Sequence, residues 1–461
     1  MPADSVIKEL AKTMHGRVIG PDDPEYDDAR KVWNGLIDKR PAAVARCTDE
    51  ADVATAIAFA RKHSLPLAVR GGGHNVAGFG TCDGGLVIDL SPMKAVTVDP
   101  AARTARAQGG VTWGEFDKAT QQHGLATTGG LVTTTGVAGF TLGGGIGWLM
   151  RKHGLTIDNL LAVEMVTADG KRVTADAKTN PELFWAVRGG GGNFGVVTSF
   201  TFRLHPVGPE VYGGAVFHPA SRAPALLRFY RDWARTLPDE LTTMVAFATA
   251  PPLPFVPADV QGTPVVGVAV CYAGDASKGE ALVKPLLDFA PPAAAHVGRM
   301  PYVMLQGMFD PGAPRGILSY WKTEYLRDLS DGAIETLAAH AGSMGVPFAQ
   351  VHIHHVEGAV SRVDAGATAF GQRGAPFILN IVGLWQDPAE TERSIAWTRT
   401  FADAMKPHST GAQYLNFMAD AGDEKLKAAY GEEKLARLAR VKRQLDPENV
   451  FRINQNIRPA A

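Results

Sequence analysis

Arg70-Gly71-Gly72-Gly73-His74, continued by Asn75-Val76-Ala77-Gly78, is the stretch on which the reading of this chain turns. It follows the apolar run Leu65-Pro66-Leu67-Ala68-Val69, the pattern of a short buried strand, so the backbone arrives extended and bends at three glycines. Glycine tolerates positive φ and close approach of a ligand, and successive bare N–H groups can face one concavity and hold a phosphate. His74 falls at the rim of that turn. Taken alone, the pattern also fits a tight strand turn with an incidental surface histidine. A second cluster, Gly136-Val137-Ala138-Gly139-Phe140-Thr141-Leu142-Gly143-Gly144-Gly145-Ile146-Gly147, carries no charge. It fits either a close crossing of backbone elements or a second ligand-facing loop.

The chain has room for two domains or one large α/β assembly at 461 residues. A net charge of -1 and a pI near 6.9 provide no basic field, which argues against nucleic acid and for a small-molecule partner. Cys47, Cys82 and Cys271 are scattered, with neither a disulfide framework nor zinc spacing. The opening residues carry acid early and lack a long apolar core, so a cytoplasmic protein without a secretory signal is expected. Gly129–Met150 is uncharged and long enough to raise a membrane span, but its glycine and threonine suit a ligand-lined loop better. No membrane partner is expected, and oligomeric state is left open.

In order, apolar spacing over Ser5–Met14 predicts a short amphipathic helix. Ala43–Leu90 reads as strand, a helix opening near Thr48-Asp49-Glu50, strand, glycine turn and strand. A second unit runs from Ala95 to about Leu204, with a helix over Trp113–His123 and strands over Ala162–Thr167 and Gly195–Leu204. His205-Pro206-Val207-Gly208-Pro209 breaks the pattern and predicts a boundary, giving domains 1–207 and 208–411 and a segment 412–461. From Val211 the texture is strands such as Val351–His355 and Phe377–Leu384, alternating with helices such as Ala223–Thr236 and Glu390–Met405. Antiparallel sheet with helices on one side is the economical arrangement. Glu432–Leu445 reads as a basic helix with a solvated face. His352-Ile353-His354-His355 places residues 352 and 354 on one strand face, where they make a poor metal site without a third ligand. They remain either a substrate-facing pair or a plain polar face.

Further segments flank these motifs: Tyr26 to Asn34, Gly84 to Leu90, Arg151 to Leu155, Glu182 to Thr198, Tyr414-Leu415-Asn416, Asp446 to Phe451, and Asn454 to Ile457. Together with the two glycine clusters they resemble the berberine-bridge-enzyme-like branch of the vanillyl-alcohol oxidase superfamily of flavin-linked oxidases. The resemblance implies an α+β fold: a two-subdomain PCMH-type FAD-binding domain, and a substrate domain whose antiparallel sheet is covered by helices, with the last segment returning to the flavin domain. It implies FAD held by Arg70, Gly71, Gly72, Gly73, His74, Asn75 and Gly78 of the first turn. From the second it adds Thr134, Thr135, Gly136, Gly139, Gly143, Gly144, Gly145 and Gly147, with Val197, Asn416 and Asn454 completing the set.

In that family the turn histidine is bonded to the 8α-methyl of the flavin, and His74 matches it. A second link through cysteine in many relatives falls here on Val132, so a single histidyl link is implied. A catalytic tyrosine of some relatives falls on Ile146. Thr135 matches the residue gating oxygen near the ring. A threonine there accompanies flavin-N5-oxide chemistry in a monocovalent bacterial subgroup. Tyr414, in a Tyr-x-Asn motif, matches a phenol that removes a hydroxyl proton in several oxidases, or else packs the ring. Its ordinary pKa of about 10 calls for a nearby cation, for which Arg373 is the candidate. The implied activity is hydride removal from a C–H bond beside oxygen or nitrogen, with O2 as electron acceptor. The alternatives are an oxygenase of a secondary-metabolite type substrate and a flavin-binding protein that does not turn over.

Overall fold

The computed structural model describes residues 3–342, 346, 348–419 and 422–461. Near the N-terminus, strands Ala43–Arg46, Leu86–Asp89 and Leu67–Arg70 pair parallel in that order, with Val18–Ile19 added antiparallel at one edge. Leu86–Asp89 is buried at every position, as expected for a strand covered on both faces. The helix between them, Glu50–Lys62, begins where Asp49 adopts an extended backbone and its carboxylate accepts from the Asp52 N–H, a capping bond worth about 1 kcal/mol. Because the strands are parallel, Leu67–Arg70 delivers the glycine turn to the carboxyl edge of the sheet, where ligands of α/β units bind.

A second, antiparallel sheet runs in the order Val96–Asp99, Thr104–Gln108, Val196–Arg203, Leu160–Val166, Arg172–Asp176. Trp113, Phe116, Phe200 and Phe202 form its core, and Met418, Tyr430, Leu438, Val441 and Ile457 join the same cluster. The last segment is thus packed on the N-terminal half of the chain.

The third sheet has seven antiparallel strands: Ala294–Pro301, Glu210–Pro219, Pro264–Tyr272, Leu241–Thr249, Gln350–His355, Phe377–Trp385 and Leu318–Leu326. Period-2 alternation gives it two unlike faces. Val245, Phe247, Val351, Ile353, Leu379 and Ile381 pack under helices Ala223–Ala234, Gly279–Asp288, Asp331–Gly342 and Thr391–Met405. Leu226, Leu227 and Tyr230 of the first helix are wholly buried there, each contributing about 1.5–3 kcal/mol. Met244, His352, His354, Asn380 and Val382 point the other way, into a cavity.

Most elements keep the expected bounds to within a few residues, with three differences. The opening helix is Ala3–Ala11 and stops short of Met14. The second glycine cluster is not all loop: Gly136, extended at φ -69° and ψ 135°, caps a helix over Val137–Leu142. The strands Ala294–Pro301 and Leu318–Leu326, absent from the expected set, are the two edges of the seven-stranded sheet. Edge strands carry charges, here Arg299, Lys322 and Glu324, that weaken the hydrophobic signal. Among the described residues no helix is long and apolar enough to cross a membrane.

Candidate active site

The two glycine clusters touch. A Cβ built on Gly72 would lie 2.4 Å from the Gly136 nitrogen, and one on Gly136 would lie 2.3 Å from the Gly72 nitrogen. The two backbones pass at a distance that leaves no room for a side chain. Of the three turn glycines, only Gly73 has a positive φ, 72°. The turn is fastened from outside: the Trp33 N–H donates to the Gly73 carbonyl at 3.0 Å. Asn34 donates through Nδ2 to the Val76 and Ser319 carbonyls at 2.9 and 3.0 Å, clamping the turn to edge strand Leu318–Leu326.

A cavity of about 330 Å³ opens over this crossing. Its floor holds Arg70, Gly71, Gly72, Gly73, His74, Asn75, Thr135, Gly136, Gly139, Gly143, Val197, Asn416 and Asn454 of the expected set. The other expected residues stand behind that wall. Gly78 turns the chain at φ 75°, with its missing Cβ against Ile37. Thr134 reaches the floor through His74. Gly144 and Gly145 have φ of 126° and 85°, and a Cβ on Gly147 would sit 1.8 Å from the Gly129 carbonyl oxygen, so all three serve backbone packing. Arg70 lines the floor, but its guanidinium is held by Asp89 at 2.8 Å and the Lys31 carbonyl at 3.2 Å, leaving the cradle to backbone N–H groups.

The floor fits a flavin dinucleotide on its own chemistry. It offers a glycine-walled concavity whose walls a Cβ at Gly72 or Gly143 would force apart, the former against the Gly136 backbone and the latter by lying 1.9 Å from Asn416 Oδ1. Beside it, Asn454 Oδ1 is a buried acceptor without a partner, and Gln455 lines the same wall. Buried polar atoms are rarely left so, and ligand hydroxyl or N–H groups would satisfy them. Gln455 was not singled out from the sequence.

His74 stands at the wall between floor and roof. Its Nε2 lies 2.8 Å from Thr134 Oγ1 and its Nδ1 3.5 Å from Thr135 Oγ1, while the ring stacks on Trp33 at 5.3 Å between centroids. Enclosure, and secondarily the charge of Arg315, push its pKa down to about 4, so the imidazole is neutral at pH 7. Val132 also lines the cavity, and none of the three buried cysteines does.

The expected Tyr414–Arg373 pairing is not formed. Tyr414 is wholly buried outside the cavity, and its hydroxyl accepts from the Gly145 N–H and from Asn416 Nδ2, each at 3.0 Å. Burial raises its phenol to about 12 against those bonds, the wrong direction for a base. Arg373 is taken by Asp158 in a two-pronged ion pair at 2.7 and 3.0 Å and by Thr368 Oγ1 at 3.0 Å. Tyr414 therefore positions Asn416, whose Nδ2 also donates to the Phe140 carbonyl at 2.9 Å.

The roof is the open face of the seven-stranded sheet. Gln350, His352 and His354 alternate along one strand, and His352 lies opposite Asn380 on the next, so the histidines face the cavity as a pair. Burial holds His352 near pKa 4 and His354 well below the ordinary imidazole value, the latter helped by His352. Both are neutral. Asn380, Trp321 and Phe417 belong to this roof and were missed as site residues, because strand register alone brings Asn380 and Trp321 to the histidines and the turn Leu415–Phe417 brings in Phe417 from a distant part of the chain.

A family profile described as an FAD binding domain matches residues 41–176, and one described as berberine and berberine like matches residues 413–458. The chain belongs to the berberine-bridge-enzyme-like family of FAD-linked oxidoreductases. It is 32% identical to the uncharacterized FAD-linked oxidoreductase YgaK of Bacillus subtilis, over 96% of this chain and 97% of that one. It is 30% identical to (R)-6-hydroxynicotine oxidase of Paenarthrobacter nicotinovorans, over 97% of both. The crystal structure of 6-hydroxy-D-nicotine oxidase from Arthrobacter nicotinovorans superposes with a TM-score of 0.88 at 29% identity, covering 97% of this chain and 98% of that one. BBE-like 1 of Physcomitrella patens superposes with a TM-score of 0.89 at 26% identity over the whole of both chains. The protein is an FAD-dependent oxidoreductase.

Proposed function

We propose that this chain is an oxidase carrying FAD covalently through His74, which oxidises a C–H bond next to oxygen or nitrogen of a small organic substrate. The observation behind this reading is one continuous cavity joining the glycine-walled floor, with His74 at its wall, to the polar sheet face above. Bound FAD supplies the hydride-accepting chemistry. The substrate gives up a hydride from carbon and a proton from its O–H or N–H group, forming C=O or C=N. O2 takes the two electrons and two protons and leaves as H2O2.

The chain's residues set up that exchange. Neutral His74 has a nucleophilic nitrogen available for a bond to the cofactor, and its stack on Trp33 fixes the ring plane. With Val132 in the cavity and all three cysteines elsewhere, His74 is the one anchor proposed. Thr135, small and polar, leaves space beside His74 through which O2 reaches the site. His354 Nε2, buried and unpartnered, accepts a hydrogen bond from the substrate's O–H or N–H group and orients it. The relative that oxidises 6-hydroxynicotine supports a C–H beside a heteroatom as the reacting bond.

The test is the visible spectrum of the purified protein and of its acid-precipitated pellet, beside His74→Ala. A yellow pellet that loses its colour in the variant, with H2O2 released during turnover, is the expected result. Colour in the supernatant would remove the covalent link, and absence of flavin would end the reading. Product labelled from 18O2 would turn the assignment towards the oxygenase that Thr135 first suggested.

A further inference from the structure

Strands Ala294–Pro301 and Leu318–Leu326 are the opposite edges of the seven-stranded sheet, so the chain that joins them has to cross one of its faces. It crosses on the cavity side: Phe309, Gly312 and Ala313 of this connection line the cavity. Phe309 is stacked on Trp148 at 6.0 Å and lies 6.4 Å from His352 between centroids. Pro311, Pro314 and Arg315 are exposed. Gly312 is at once exposed and a lining residue, so one thickness of chain separates solvent from cavity there.

The ends of this strap are fixed. Upstream, Gln306 Nε2 donates to Asp117 Oδ2 at 2.7 Å. Downstream, the Trp33 indole N–H donates to the Ala313 carbonyl at 3.0 Å, and the Gly316 N–H donates to the Trp33 carbonyl at 2.8 Å. A Cβ on Gly35 would lie 2.1 Å from the Gly316 carbonyl oxygen, so that seat is close-fitting. The middle is latched by Asp310, whose carboxylate accepts from the Thr133 N–H at 2.8 Å and from the Thr133 hydroxyl at 2.6 Å. Gln350 Nε2 adds a longer bond to the Gly312 carbonyl, at 3.2 Å. Thr133 follows Val132 in the opposite wall, so the latch spans the two halves of the chain. Asp310 is only half-buried, and water can take over both of its bonds as they break. Gly307 and Gly312 bracket it and supply points at which the backbone can turn.

We propose that residues 307–312 are a gate to the flavin site. Release of Asp310 from Thr133 lets Phe309 swing away from Trp148 and opens the cavity to small molecules; remaking the two bonds closes it. The gate rests on flavin occupying the floor, and not on the choice of substrate or electron acceptor.

Stopped-flow bleaching of the flavin by sulfite, which has to reach the flavin ring, tests it on the flavin-loaded protein. A gate changes the barrier and not the end states, so the association and dissociation rate constants rise together while Kd stays the same. Thr133→Val, which removes one of the two bonds without changing charge, should raise both rates about 10-fold, and Asp310→Ala should raise them further. Thr133→Ser keeps both donors and should behave as the unmodified protein. Hydrogen exchange of the amides of residues 308–312 should quicken in the first two variants and not in the third. Sulfite rates left unchanged by both Thr133→Val and Asp310→Ala overturn the proposal, as does a change confined to Kd, or variants that sulfite does not bleach. The readout is a pair of rates, so failure here is separate from failure of the oxidase reading, which is decided by pellet colour and H2O2.

Discussion

Asp117→Asn should stabilise the protein, and more at alkaline than at acid pH. Asp117 lies on helix Trp113–Gln121, where it meets helix Tyr302–Gln306 from beneath the seven-stranded sheet. Its Oδ2 accepts from Gln306 Nε2 at 2.7 Å, while Oδ1 and Gln306 Oε1 have no partner. Burial raises the carboxyl from 3.8 to about 7, against the bond from Gln306. A folded pKa above the unfolded one means that this group's stability contribution is full below pH 3.8 and is lost as pH rises through 7. At about 1.4 kcal/mol per pH unit, the loss approaches 4 kcal/mol at pH 8 and 2 kcal/mol at pH 5. Asparagine keeps the acceptor at Oδ1, adds a donor for Gln306 Oε1, and has no charge to bury. With an unfolding entropy of about 2.1 cal/mol/K per residue over 461 residues, 4 kcal/mol corresponds to about 4 °C. Thermal unfolding of the two proteins at pH 5 and pH 8 measures this. An equal gain at both values, or a loss at pH 8, would show that Asp117 is not held protonated by burial.

Two other substitutions separate roles in the floor. Gly72→Ala drives a Cβ to 2.4 Å from the Gly136 backbone, so it should abolish flavin binding, read as the ratio of visible to ultraviolet absorbance. Gly84→Ala, at φ 61° with nothing within 4 Å, should cost about 1 kcal/mol and keep the colour; equal flavin content in both would deny the backbone crossing its role. Tyr414→Phe leaves the Gly145 N–H and Asn416 Nδ2 without their shared acceptor, costing about 1–3 kcal/mol of stability. Because the phenol lies outside the cavity, the pH profile of kcat/KM should keep its shape. Loss of an alkaline limb would restore Tyr414 as the base.

The parts legible from the sequence are those whose cause is local. The glycine turn, the Asp49 cap and the alternation over residues 350–354 each carry their signal within a few residues. Arg373 failed as a partner for Tyr414 because Asp158, 215 residues away, claims it, and no local pattern announces an ion pair at that separation. The aromatic residues of the roof were invisible for the same reason: Trp33, Phe309 and Phe417 lie on connecting segments far apart in sequence and meet Trp321 and the histidines only in the folded chain. At Gly72 and Gly143 the governing quantity is the distance to another part of the chain; a glycine cluster suggests such a crossing, but its sequence does not name the residue on the other side.

Lys442, wholly buried, gives its ammonium to Asp446, to the Asn193 carbonyl at 2.7 Å and to the Phe451 carbonyl at 2.9 Å. That knot draws residues 451–455 across the floor, where Phe451, Ile453, Asn454 and Gln455 finish the cavity wall. These are the latest residues in the chain to enter that wall, although its first glycines lie at positions 71–73. During synthesis on the ribosome, hundreds of residues therefore emerge before a complete berth for the cofactor can exist. Loading with flavin must be a late event in the protein's life, and nascent chains should remain colourless until the tail is tied down.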